Sequence, residues 1–199
     1  TPLGPIADGL SLAKLPPRSI LAELSFDLTL ADGHRGIEAS AIGKLLLDHL
    51  PSTDPLYRYA ARLARPIFRV PLGGLLTGSI DAVIRLPGSP ERILIADYKS
   101  NRLDDGFHQA ALQREMAHHH YPLQGLLYLA AIHRFLRWRT GEADPSARIA
   151  GFAYLFLRGM IGPETTRGAD GTPDGVFAWT PPPGFVVVLS NLLAGEVAQ

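Results

Sequence analysis

The sequence predicts an α/β fold, a central mixed β-sheet flanked by helices, and three observations carry that expectation. Residues 78–86 (GSIDAVIRL) and 92–99 (RILIADYK) are strand-like runs on either side of Pro87-Gly88-Ser89-Pro90-Glu91, a loop of turn-forming residues. Residues 122–139 carry the apolar series Leu123, Leu126, Leu127, Ala130, Ala131 and Phe135 at helical spacing. Residues 149–157 (IAGFAYLFL) are apolar enough to form a central strand.

The other elements follow in chain order. Residues 1–19 mix Pro, Leu and Gly without a sustained period and read as a lead-in segment, with the domain itself at 20–199. Residues 20–30 alternate apolar and polar side chains as a strand does, closed by Ala31-Asp32-Gly33. Residues 37–50 have helical spacing and stop before Pro51. Ser52-Thr53-Asp54 offers caps and Pro55 a helix start, predicting a second helix over 55–65. Residues 70–76 read as a short extended piece. Asp104 and Asp105 can cap a helix running to His118, and Tyr121-Pro122 starts the next one. Residues 159–175 are loop-forming, 176–180 a short strand, and 185–195 a closing amphipathic helix.

The chain has 199 residues, 46% apolar and 19% charged, with 20 Gly and 17 Pro. That is the composition of one globular domain rather than a disordered tail. No apolar run is long enough to span a bilayer, so no membrane is expected. Nineteen basic residues balance nineteen acidic ones, so the surface as a whole does not attract nucleic acid electrostatically, although a local basic groove would fit within it. The absence of cysteine excludes disulfides, thiolate metal sites and cysteine nucleophiles, and suits a reducing, cytoplasmic setting. A chain that opens on Thr1 is expected to be an excised or processed fragment.

The hairpin holds the most informative chemistry. If it is symmetric about Ser89, paired residue numbers sum to 178, which sets Asp81 directly opposite Asp97. Opposed side chains on one face have Cβ atoms about 4.5–5.5 Å apart, and like charges there are destabilising unless a proton, a cation or a metal ion compensates. Lys99, one of three lysines, lies two residues beyond Asp97 on the same face of the strand. Two carboxylates and an ammonium then converge on one point, a hard-oxygen site suited to Mg²⁺ or Mn²⁺. A lone D-x-K is more often a salt bridge on a solvated sheet face. Here Ile93-Leu94-Ile95-Ala96 indicates a strand buried on both faces, where an unpartnered acidic pair would cost several kcal/mol.

Other polar residues carry weaker signals. Gln124 and Tyr128, four apart, share one helix face and suit contacts to a phosphate backbone. The blander reading, favoured on spacing alone, packs Tyr128 with its hydroxyl tied locally and leaves Gln124 at the surface. Glu23, taken alone, belongs to the polar face of its strand. His118, His119 and His120 are expected to point in different directions from a helix end and so not to chelate one ion. Arg134, Arg137 and Arg139 beside Trp138 suggest a patch for single-stranded nucleic acid, although such a helix end is more often simply solvated. His49 and His133 read as ordinary structural histidines.

The order G-S-I-D-A-V-I-R, I-A-D-Y-K-S-N, H-Y-P-L-Q-G-L-L-Y-L-A-A-I-H-R-F-L-R, Y-L-F-L-R-G-M, closing on F-V-V-V-L-S-N-L-L-A-G, resembles a known family. It is similar, from about residue 20 to the end, to the nuclease domains of the RecB family, the beta subunits of exodeoxyribonuclease V, within the PD-(D/E)XK superfamily. The combination D-Y-K-S-N with Y-x-L-Q-x-x-x-Y is specific where D-x-K alone is not. The resemblance implies a PD-(D/E)XK nuclease-like sheet, with Asp81, Asp97 and the backbone carbonyl of Tyr98 as metal ligands. It implies that Lys99 orients or helps deprotonate the attacking water and offsets phosphate charge. Gln124 and Tyr128 match the Q-x-x-x-Y motif near the DNA backbone, and Glu23 in L-A-E-L-S-F matches an acidic position that acts on the metal through water.

The implied activity is Mg²⁺-dependent hydrolysis of DNA phosphodiesters, with Mn²⁺ able to substitute, in double-strand-break repair and recombination. The implied partners are DNA, as single strands or unwound duplex, and RecC-like and RecD-like subunits. The family also carries a metal-ligating His on a helix upstream of the acidic strand, and residues 1–22 contain no His. Weaker metal affinity than in a complete domain is therefore expected. No Walker-type Gly-rich loop is present. The alternative reading is a non-catalytic module of the same fold that docks partner subunits or guides DNA. Retention of both Asp and the Lys argues against it.

Overall fold

The structure is a computed structural model and describes residues 1–31 and 36–196. Its architecture is α/β, as expected, with a five-stranded mixed sheet and, among the described residues, five α-helices. The strands are β1 (Ile20–Thr29), β2 (Ile37–Glu38), β3 (Pro71–Leu72), β4 (Leu75–Leu86), β5 (Arg92–Lys99), β6 (Ile149–Phe156) and β7 (Val176–Trp179). The helices are α1 (Ala39–His49), α2 (Tyr57–Leu63), α3 (Gln109–His118), α4 (Tyr121–Thr140) and α5 (Phe185–Ala194). The main sheet has the order β1-β4-β5-β6-β7, while β2 and β3 form a separate two-stranded ribbon. No helix among the described residues is long and apolar enough to cross a membrane.

The chain divides into two compact units. The first comprises Thr1–Leu24, Ser79–Tyr121 and Arg148–Thr180. In it β4 and β5 form the antiparallel hairpin, β6 runs parallel to β5, and β7 closes antiparallel on β6. The parallel β5–β6 step makes the sheet mixed, and every residue of β6 is buried, as its unbroken apolar run predicts. The core of this unit joins Ile84, Leu94, Ala153 and Leu155 to Leu3 and Ile6. Residues 1–19 thus contribute two 3-10 turns, Pro5–Ala7 and Leu12–Lys14, and two large core side chains.

Gly151 shows how closely β6 meets its neighbour. It sits at φ 133°, beside the register shift between β5 and β6, where a Cβ would collide with the Trp179 carbonyl. Gly is the residue that allows both the conformation and the approach.

The second unit comprises Ser25–Gly78, Pro122–Ala147 and Pro181–Gln199. Here α1 packs on α2 and α5, burying Ile42, Leu46, Leu63, Phe185 and Leu189. The α1–α2 approach is close enough that a Cβ on Gly43 would collide with the Ala64 nitrogen. Element boundaries shift modestly from the sequence reading. Ile37 and Glu38 join a ribbon with Leu72 and Pro71 instead of opening α1, because strand pairing takes their backbone groups first. The helix expected to start at Asp104 begins at Gln109, after Gly106 at φ 81°, and His108 caps it by accepting from the Ala111 nitrogen. The turn expected at Ala31-Asp32-Gly33 lies partly outside the described residues.

Candidate metal and catalytic site

The β4–β5 register is the one a hairpin symmetric about Ser89 requires. Ala82 pairs with Ala96, Val83 with Ile95, Ile84 with Leu94, and so on to Leu86 with Arg92. Asp81 is the next residue beyond the last pair, and its carboxylate accepts a hydrogen bond from the Tyr98 backbone nitrogen at 2.9 Å. The strand is covered on both faces, since Leu94, Ile95, Ala96 and Asp97 are buried in succession. Asp97 is 3% exposed. The Lys99 ammonium lies 2.6 Å from its Oδ1, and the Lys99 side chain is itself only 15% exposed.

The two carboxylates are therefore compensated differently, one by a peptide N–H and the other by an ammonium. Asp97 Oδ1 is sealed from solvent and, among the described residues, has no well-aligned hydrogen bond, its compensation coming from the charge of the Lys99 ammonium at 2.6 Å. Burial pushes the Asp97 carboxyl above the usual carboxylate range; Lys99 opposes that shift and Asp81 adds to it. Burial also raises the Tyr98 phenol, with the Asp81 charge adding to the rise. Two carboxylates, one with a buried and under-satisfied oxygen, make a hard-oxygen donor set that fits Mg²⁺ better than a softer metal.

The surroundings of Lys99 hold residues that sequence reasoning did not single out. Its ammonium stands 4.0 Å from the Tyr121 ring centroid and 5.2 Å from that of Tyr154. The two tyrosine rings stack at 5.5 Å with a 15° tilt, and the Tyr154 hydroxyl donates to the Tyr121 carbonyl at 2.9 Å. Asn101 hydrogen-bonds both the Tyr121 hydroxyl, at 3.3 Å, and Glu115 Oε1, at 2.7 Å. Tyr121 was legible only as a helix start, because chain spacing does not reveal a partner 22 residues away across a turn and a helix.

The histidines need a correction. His118 and His119 do not point apart. Their rings stack at 4.7 Å, and with Glu115 their ligand atoms lie within 4.8 Å of one another. The close approach follows from stacking, which extends from His119 to Tyr121 at 5.1 Å. An ion bonded to ring nitrogens lies in the plane of each ring, and planes tilted by only 20° do not meet near those nitrogens. Glu115 instead accepts from Asn101 and sits 3.1 Å from His119 Nε2. His120 does not join this group.

Glu23 lies on β1 in the first unit, exposed, with a left-handed φ of 53° in the middle of the strand. Among the described residues it does not join Asp81 and Asp97 in a close ligand group. Gln124 and Tyr128 belong to the second unit. There the Gln124 amide donates to the Tyr128 hydroxyl at 2.8 Å, and the buried Tyr128 ring meets Phe26 edge-on. In the same unit Arg134 is fastened to the Ser190 hydroxyl, the Ser190 carbonyl and the Thr29 carbonyl. Trp138 is 79% exposed beside Phe135.

No family model matches the chain. It is 47% identical to the RecBCD enzyme subunit RecB of Mycobacterium tuberculosis over 97% of its own length and 18% of that protein's. Against RecB of Mycolicibacterium smegmatis the identity is 44%, over 98% of the chain and 19% of the relative. Against RecB of Escherichia coli it is 30%, over 96% of the chain and 15% of the relative. The chain thus spans less than a fifth of the length of these curated relatives. Matched almost end to end by all three, it is a RecB-related chain.

Proposed function

We propose that this chain is the DNA-hydrolysing domain of a RecB-like helicase–nuclease, acting in recombination and double-strand-break repair. The observation that carries the reading is the buried Asp97–Lys99 pair with the Asp81 carboxylate beside it on the hairpin. A buried ion pair contributes little net stability, since desolvation offsets its attraction. Its chemistry explains it better than its contribution to the fold.

Asp81, Asp97 and the Tyr98 carbonyl would hold Mg²⁺, or Mn²⁺ in its place. When bound, the ion polarises the scissile phosphoryl group and lowers the pKa of coordinated water. The chain's own residues do the rest. Lys99, fixed by Asp97, orients the attacking water and offsets phosphate charge. Gln124 and Tyr128, with a donor amide and a hydroxyl, contact the phosphate backbone. Glu23 would hold a water beside the bound ion. DNA strands and RecC-like and RecD-like subunits are the partners this reading implies. The zero net charge favours the second reading, a docking module without catalysis.

The test is calorimetric titration of Mn²⁺ and Mg²⁺ into the full-length protein, with an Asp81→Asn/Asp97→Asn variant as control and DNA cleavage measured in parallel. Ion binding and cleavage that both vanish in the control are the expected result. Cleavage unchanged by the double substitution would sink the proposed site, and binding of neither ion to the wild type would favour the docking module.

A further inference from the structure

We propose that Tyr121, supported by Tyr154, is a positioning residue for Lys99: its ring forms an aromatic wall that holds the ammonium for the reaction. The inference rests on the nuclease reading and adds to it a residue outside the acidic hairpin.

A lysine chain has four rotatable carbons and loses considerable entropy when its head is fixed. Asp97 supplies one short contact, at 2.6 Å. A further restraint is electrostatic, from the negative ring faces. At 4.0 and 5.2 Å from two centroids the ammonium lies well within the ~6 Å reach of a cation–π contact. With the Lys99 side chain 15% exposed, such contacts act with little solvent screening.

The wall is itself braced. Tyr121 stacks against His119 and Tyr154 at 5.1 and 5.5 Å, and its carbonyl is tied to the Tyr154 hydroxyl. Its own hydroxyl meets Asn101, which Glu115 holds in turn at 2.7 Å. Nothing in a phosphate-contacting role for Gln124 and Tyr128 requires this arrangement at residues 121 and 154. A side chain that merely filled space would not need an aromatic stack aimed at the one lysine of the site.

The experiment measures metal-dependent DNA cleavage by the full-length protein, separating kcat from KM. Tyr121→Leu is expected to lower kcat by about tenfold with KM within about twofold, while Tyr121→Phe, which keeps the ring, stays within about threefold of wild type. Phenylalanines bearing successively more ring fluorines at position 121 weaken the ring face at nearly constant size, and kcat should fall stepwise with them while the melting temperature holds. A flat fluorine series, or Tyr121→Leu cleaving at the wild-type rate, overturns the proposal. Lys99→Ala separates the two layers. If it is inactive and the Tyr121 series is flat, the aromatic wall alone is wrong; if it cleaves normally, the role of Lys99 falls and the wall with it.

Discussion

Asp97 in the first unit and His133 in the second are both sealed from solvent, at 3% and 0% exposure, and they meet burial in opposite ways. Burial raises the Asp97 carboxyl and lowers the His133 imidazolium, each toward the neutral form. His133 can accept that outcome. Among the described residues neither ring nitrogen has a well-aligned hydrogen-bond partner, and Asp144 stands 3.6 Å away with a half-exposed side chain. A neutral imidazole in such a place behaves as a core side chain with a polar edge. Asp97 is different, because an ammonium at 2.6 Å and a second carboxylate on the adjoining strand keep charge in the site. Buried charge that gains no clear stability marks chemistry; a buried neutral group marks packing.

The largest effect that can break this contrast is on catalysis. Asp97→Asn in the full-length protein should lower metal-dependent DNA cleavage by about a thousandfold or more, the scale expected when a metal and the charge it stabilises are lost. His133→Leu should leave the rate within about twofold, since surface-independent packing changes rarely reach the reacting atoms. Equal losses from the two substitutions would mean that burial, and not the retained charge, is what the two positions have in common.

A smaller effect concerns proton linkage. The folded-state pKa of His133 lies below its ordinary value of 6.5, with burial as the main cause. Asp144 opposes that shift, while Arg137 and Arg134 reinforce it. The unfolded chain therefore binds the proton more readily. Stability from this residue is complete above pH 6.5 and is lost as pH falls through 6.5 toward the folded value. Asp144 stays ionised through that window, because its bonds to Ser146 and its contact with His133 outweigh the effect of burial. Melting curves across the window should show a shallower decline for His133→Leu than for wild type, the difference being at most about 1.4 kcal/mol per pH unit. Parallel curves would assign the slope to other groups.

The same contrast separates what was legible in the sequence from what was not. The hairpin register could be read because a five-residue turn centred on Ser89 leaves one symmetric pairing of the residues on either side, so the Asp81–Asp97 neighbourhood followed from residue numbers. The Asp97–Lys99 contact followed from the two-residue period of a strand. Tyr121 and Tyr154 could not be read, because stacking on Lys99 depends on where α4 begins and on which side of β5 the parallel β6 is laid. The His118–His119 stack was missed for a related reason: directions on an ideal helix do not hold at its last residue, and His119 is already the C-cap of α3. The left-handed backbone at Glu23 had no signal at all, since glutamate has no preference for it.

Glu23 supplies the smallest and most discriminating effect. A non-glycine residue at φ 53° carries a steric cost of about 1–2 kcal/mol, and β1 bears it at Glu23, whose carboxylate the proposed function assigns to the reaction. Glu23→Gly removes that cost but adds about 0.4–1 kcal/mol of unfolded-chain entropy, so a net gain of about half a kcal/mol is expected. Glu23→Gln keeps the strained backbone and removes only the charge, and it should leave the melting temperature unchanged. If the strain serves to aim the carboxylate, both variants lose DNA cleavage to a similar degree while Glu23→Gly alone becomes more stable. A Glu23→Gln enzyme that cleaves normally would instead place Glu23 with His133, as a residue whose position answers to the fold and not to the reaction.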